Sequence, residues 1–199
     1  MNTLNLESPD DLLAYLGDAI LAVHAALDHG VSFAEERLAG LPKDPHMYAH
    51  LVRFAARLDL ERVEADEWQL NRKAANSSIE VTRGPIAFRA LMSQMGNPPS
   101  PGHSGARQAF YSQGRLPLDY DGIVMPFSAN LILHYMVNSA QDLILALCKP
   151  AGTWRFNEAA KIEWRRPIVV RAGQALRFEA AEEDIDIDFE ELEEGEKTG

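Results

Sequence analysis

Gly122-Ile-Val-Met-Pro-Phe127, Leu131-Ile-Leu-His-Tyr-Met-Val137 and Leu143-Ile-Leu-Ala-Leu-Cys148 open the stretch, Asp121 to Ala180, whose reading decides the fold. Thr153-Trp-Arg-Phe156, Lys161-Ile-Glu-Trp164, Ile168-Val-Val-Arg171 and Ala175-Leu-Arg-Phe-Glu-Ala180 follow it. Each run is short, rich in β-branched or aromatic residues, and closed by Gly, Pro, Asn, Ser or Asp. Strands at such spacing, with turn signals between them, are the pattern of an antiparallel sandwich or barrel. In Lys161–Arg165 the apolar residues Ile162 and Trp164 alternate with charged ones, and so do Leu176, Phe178 and Ala180 with Arg177 and Glu179. One wet face and one buried face are expected.

Upstream of this stretch the periodicity changes from two to three and four. Ser8 is placed to cap a helix, Pro9 suits its first position, and Asp10 and Asp11 sit where the helix dipole favours negative charge. Leu12, Leu16, Ile20, Val23 and Leu27 then form one apolar face, and Gly30 is read as the stop. A second short helix is predicted from Ser32, with Glu35 completing a capping box, to Gly40. A third begins at Asp44-Pro45, with Tyr48, Leu51, Val52, Ala55 and Leu58 on one side. Leu60 to Asn76 is compatible with helix or strand. Ser78 to Thr82 reads as a strand, and Pro85 opens a helix carrying Ile86, Leu91, Met92 and Met95. Gly96 to Gly105 holds three prolines and three glycines and is a linker.

The prediction is thus an α+β chain. A mostly helical region covers 1–95, a Pro/Gly-rich linker and lead-in 96–118, an antiparallel, jelly-roll-like β-sandwich 119–189, and a disordered acidic tail 190–199.

Charge is unevenly divided. The chain carries −11, and residues 182–199 hold ten acidic residues against one Lys. The remaining body, with 20 acidic and 18 basic residues, is nearly neutral and lacks the clustered cations that nucleic-acid binding requires. No signal peptide and no membrane-spanning run is expected. The only cysteine, Cys148, lies in an apolar run and reads as a small core residue.

No catalytic, cofactor or metal residue is expected. Gly102-His103-Ser104-Gly105-Ala106 has a proline-rich loop where a nucleophile elbow needs a strand, and Ala106 where it needs Gly. Asp119 and Asp121 read as a polar turn. Asp184, Asp186 and Asp188 place Phe189 and Gly195 where a calcium loop requires Gly and Glu. His46 and His50 share a helix face without the Glu of a zincin. His134 is the only histidine within the β module.

The opening Gly122, Met125, Pro126 and Phe127, with the closing run Pro167 to Phe178, resembles β-sandwich modules of bacteriophage virion proteins of the fibre, spike or decoration type. The resemblance covers residues 122–180. It implies a non-enzymatic structural protein of a particle, located in the virion. It also implies a homo-oligomer, a trimer before other forms, that contacts other virion proteins; from charge and hydropathy, neither nucleic acid nor membrane is expected as a partner. The helical region would anchor and the sandwich would project. The alternative is a cytoplasmic interaction or inhibitor module in which Ile185, Ile187 and Phe189, alternating with acids, anchor to a partner.

Overall fold

The computed structural model describes residues 8–42, 44–74, 76–93, 97–102, 105–113, 119–120, 123–124, 129–140, 142–151 and 160–170. Helix α1 (Pro9–Arg37) begins as its sequence dictates, with Ser8 Oγ accepting from the Asp11 amide at 3.3 Å. It does not stop at Gly30. The helix runs on for 29 residues, and Ser32, read as a second cap, donates to the Asp28 carbonyl from inside it at 3.2 Å. Gly30 has a tertiary role: a Cβ there would lie 2.4 Å from the Val52 carbonyl oxygen of the neighbouring helix.

That neighbour, α2 (Pro45–Leu60), is capped by Asp44, whose carboxylate accepts from the amides of His46 and Met47 at 2.8 and 3.2 Å. It runs antiparallel to α1, with Gly30 against Val52 and Ala56, and His29 against Asp59. Its buried stripe is Val52, Ala55, Ala56 and Leu60; Leu58, expected on the inner side, is 40% exposed. Gly30 and Ala56 at the crossing bring the backbones close, and this rotates α2 away from the face its larger residues suggest.

Six strands form one mixed sheet in the order β1-β2-β3-β6-β7-β8. These are β1 (Gln69–Leu70), β2 (Ile79–Arg83), β3 (Ile86–Met92), β6 (Ala129–Val137), β7 (Leu143–Pro150) and β8 (Ile162–Ile168). Between β3 and β6 come the short helix α3 (Gly105–Tyr111) and a two-stranded ladder, β4 (Asp119–Tyr120) with β5 (Ile123–Val124). The helix expected after Pro85 is strand β3. Gly84, at φ +51°, starts a two-residue hairpin that brings Arg83 opposite Ile86, so Pro85 lies in a turn. Strand β3 pairs in parallel with β6, from Ile86↔Ala129 to Met92↔Tyr135, and the other neighbours are antiparallel.

The sheet therefore crosses the boundary placed at 96–118. Strands from both sides share it, and the 1–95 region contributes three strands besides its helices. One face is packed by helices: Ile79, Val81, Ile86, Phe88, Ala90, Leu131, Leu133, Leu145 and Leu147 join Leu12, Leu16, Ile20, Val23 and Leu27 of α1 in one core. The α+β class holds, and the observed cover of this face is helical.

The second face carries a smaller cluster, in which Ala87, Ile132, Ala146 and Cys148 meet Phe110 and Tyr111 of α3. An irregularity between Lys149 and Pro150 corrects the alternation expected in β8. Trp164 pairs with Lys149 but Ile162 pairs with Pro150, so Trp164 packs on the helical core and Ile162 on the second cluster.

By length and composition α1 is long and apolar enough to cross a membrane. In this fold eleven of its residues, from Leu12 to Ala34, are buried, so its apolar face is core. Arg83 ties it to the sheet, donating to the Tyr15 carbonyl, lying 4.8 Å over the Tyr15 ring and pairing with Glu67. Arg57 does the same for α2: it pairs with Glu61 at 2.9 Å and donates to the carbonyls of Arg72, Ala74 and Ser78.

A side-chain amide stands in for strand pairing at one end of the sheet. Gln113, at φ +56° just after α3, accepts from the Asn130 amide at 2.9 Å. Its NH2 donates to the carbonyls of Asn130 and Pro150, at 2.8 and 3.0 Å. Gln113 thereby bridges β6 and β7 beyond their last ladder pair. Gln113→Leu strips three backbone groups of their partner and is expected to cost about 2 kcal/mol in chemical denaturation.

Candidate functional site

Three of the four buried polar or charged residues among those described, Glu80, Asn130 and His134, lie on the second face of the sheet. Glu80, Arg89, Ile132, Cys148 and Arg165 lie in one cross-strand row, each in register with the next. Glu80 is 2% exposed, and its Oε2 accepts from Arg89 Nε at 2.8 Å and Nη2 at 2.7 Å. The Arg89 guanidinium also lies 4.5 Å over the Phe110 ring. The carboxylate takes the Nε–Nη2 edge of this planar cation and the aromatic ring covers one of its faces.

His134 stands two residues along β6 from Ile132 of that row, on the same face, and is 1% exposed. Its Nε2 has no hydrogen-bond partner among the described residues. Burial, helped by the Arg165 charge, pushes its imidazole down to about 4, so it is neutral near pH 7. Burial pushes the neighbouring Cys148 thiol up to about 12, with Arg165 opposing the shift. Thiolate, not thiol, is the nucleophile, and a base so weak takes few protons at neutrality. The environment holds both groups in their uncharged forms.

The sequence candidates for chemistry are not brought together. Gly102 makes a turn and Gly105 opens α3, while His103 and Ser104 lie outside the described residues. Asp119 pairs through its backbone with Val124, and Asp121 lies outside the described residues. His46 and His50 are exposed on α2, and among the described residues no group of three or more His, Cys, Asp or Glu is placed to hold a metal. Ile185, Ile187 and Phe189 also lie outside the described residues.

A different surface emerges on the outer side of α2. Met47 is 51% exposed, Phe54 42% and Leu58 40%, with half-buried Leu51 between them. These residues are spaced four, three and four apart, so they form one stripe along the helix. Leu41 before it and Val63 after it are 56% and 42% exposed and extend the apolar surface at both ends. Of the residues expected on the inner side, Leu58 faces outward, whereas Val52 is buried and Tyr48 and Leu51 are half-buried against the helical core. The missed signal is that α2 has two apolar periods: one is small and packs on α1, the other is large and faces solvent.

No protein-family model, curated protein or solved structure matches this chain.

Proposed function

We propose that this protein is a non-enzymatic structural component of a bacteriophage particle that assembles through its helical region. The observation that carries the reading is the α2 stripe. Large apolar side chains placed in register on an exposed helix face mark an interaction site rather than scattered surface hydrophobes. The chemistry of the second sheet face agrees with a structural role, since Cys148 and His134 are held in their unreactive forms and Arg89 is paired with Glu80 and stacked on Phe110. In this reading the second face is also the one over which the jelly-roll-like sandwich closes.

Light scattering on the full chain tests it. The expected mass is a multiple of 22.1 kDa that falls to one chain in Phe54→Asp without loss of the folded far-UV signal. A single-chain mass across the micromolar range would refute it. The competing interaction-module reading is separated by a full-length triple change, Ile185→Asp, Ile187→Asp and Phe189→Asp. On the present reading that variant keeps the parental mass.

A further inference from the structure

Beside the closest approach of the two helices, a histidine of one meets a carboxylate of the other. His29 of α1 and Asp59 of α2 are 30 residues apart in sequence, and Nδ1 of the imidazole donates to Asp59 Oδ2. We propose that His29 is a phosphoryl-acceptor site, its Nε2 attacking an activated phosphoryl donor while Asp59 holds the ring. A carboxylate only accepts hydrogen bonds, so the proton of the uncharged ring lies on Nδ1 and Nε2 carries the lone pair. That nitrogen is accessible. The His29 side chain is 60% exposed, and Nε2 makes no hydrogen bond among the described residues.

The next residue fixes the geometry. Gly30 lies against the Val52 carbonyl and the Ala56 amide, so backbone contact sets the helix spacing beside the pair. A carboxylate on one ring nitrogen orients the imidazole and raises the basicity of the other, which is how a nucleophilic histidine is activated. The surroundings select the reaction. Acyl transfer would need backbone donors aimed at a developing oxyanion, but the amides beside His29 and Asp59 are bonded within their helices. A phosphoryl group needs open space and a cation. Arg62 supplies the cation, with Nη1 3.4 Å from Asp59 Oδ1 and a side chain that is 76% exposed. With phosphoramidate as donor, the Nε2 lone pair forms the new N–P bond. The P–N bond of the donor breaks, and its electron pair leaves with ammonia. The ring becomes an imidazolium whose charge is balanced by Asp59. His29 is modified and catalyses nothing, so this site is independent of the assembly reading above.

The test is phosphoramidate on the full chain, read by intact mass, peptide mapping and phosphorus NMR. His46 and His50, exposed on α2 and with no ring partner among the described residues, are internal controls. Expected is one phosphoryl group on Nε2 of His29, transferred at least about tenfold faster than to either control. His29→Gln should lose this fast phase. Asp59→Asn should slow it to the rate of the controls, with the far-UV signal unchanged in both variants. Equal rates at the three histidines of the parent, or substitution on Nδ1, would overturn the assignment. So would an unchanged rate in Asp59→Asn, or no transfer to His29 at all.

Discussion

Gly30→Ala is expected to lower the stability of the fold by about 2 kcal/mol, and Gly30→Val by about 3 kcal/mol or more. Two effects oppose each other at this position. In a helix interior Ala is favoured over Gly by about 1 kcal/mol, so an isolated α1 would gain from the change. In the folded chain the new Cβ would come 2.4 Å from the Val52 carbonyl oxygen and 3.2 Å from its carbon. Those are backbone atoms, so no rotamer change relieves the contact. The helices must separate, and the close packing of Val52 and Ala56 against α1 is lost along with the contact. The steric cost outweighs the propensity gain, against a total stability of about 5–15 kcal/mol for a domain of ordinary size. Urea unfolding of the two variants checks the ranking. Val52→Ala should not rescue Gly30→Ala, because the clash is with main chain.

The second large effect is loss of stability in acid. His134 is neutral in the folded protein down to about pH 4, whereas in the unfolded chain it takes up a proton near pH 6.5. Between those values the unfolded state binds more protons, so stability falls as pH is lowered through that window and is fully present above it. A displacement of this size corresponds to about 3 kcal/mol across the window. Replacing the imidazole, whose Nε2 is unpartnered among the described residues, with a similar-sized apolar side chain removes this proton uptake without stripping that nitrogen of a bond. The expected result is that His134→Leu matches or exceeds the parent near neutrality and shows a flatter pH profile between 4 and 6.5. Parallel profiles for the two proteins would disprove the assignment.

Much of the scaffold is legible in the residues themselves. The start of α1 and its Leu12-Leu16-Ile20-Val23-Leu27 face follow from capping and period. The strands at 131–137, 143–148 and 162–164 follow from their β-branched runs, and β2 from Ser78–Thr82. The misreadings share one cause: local chemistry serving a distant contact. Gly30 has the residue type of a helix stop but is there for the backbone of α2. Pro85 fits a helix start but lies in the hairpin that opens β3. The parallel pairing of β3 with β6 leaves no local mark, and the irregularity at Lys149/Pro150 reverses Ile162 without changing its alternation in sequence. The same holds for the candidate surface on α2. Met47 and Phe54 are unremarkable singly, and only once Val52, Ala55 and Ala56 occupy the inner side is the outer stripe defined.

The parallel β3–β6 pair also sets the order in which the protein can be made. The α1–α2 hairpin and the β1–β3 meander join segments close in sequence, and their loops close cheaply. The centre of the sheet instead joins Ile86 to Ala129, 43 residues later, and contacts of that separation slow folding. On a ribosome the N-terminal half emerges with β3 as an open edge, its amides and carbonyls unmatched until β6 has been synthesised. An unpaired strand of this kind is where a nascent chain is recruited into wrong partners. The central strand junction therefore makes the interval between the synthesis of β3 and that of β6 the aggregation-sensitive period in the life of this protein.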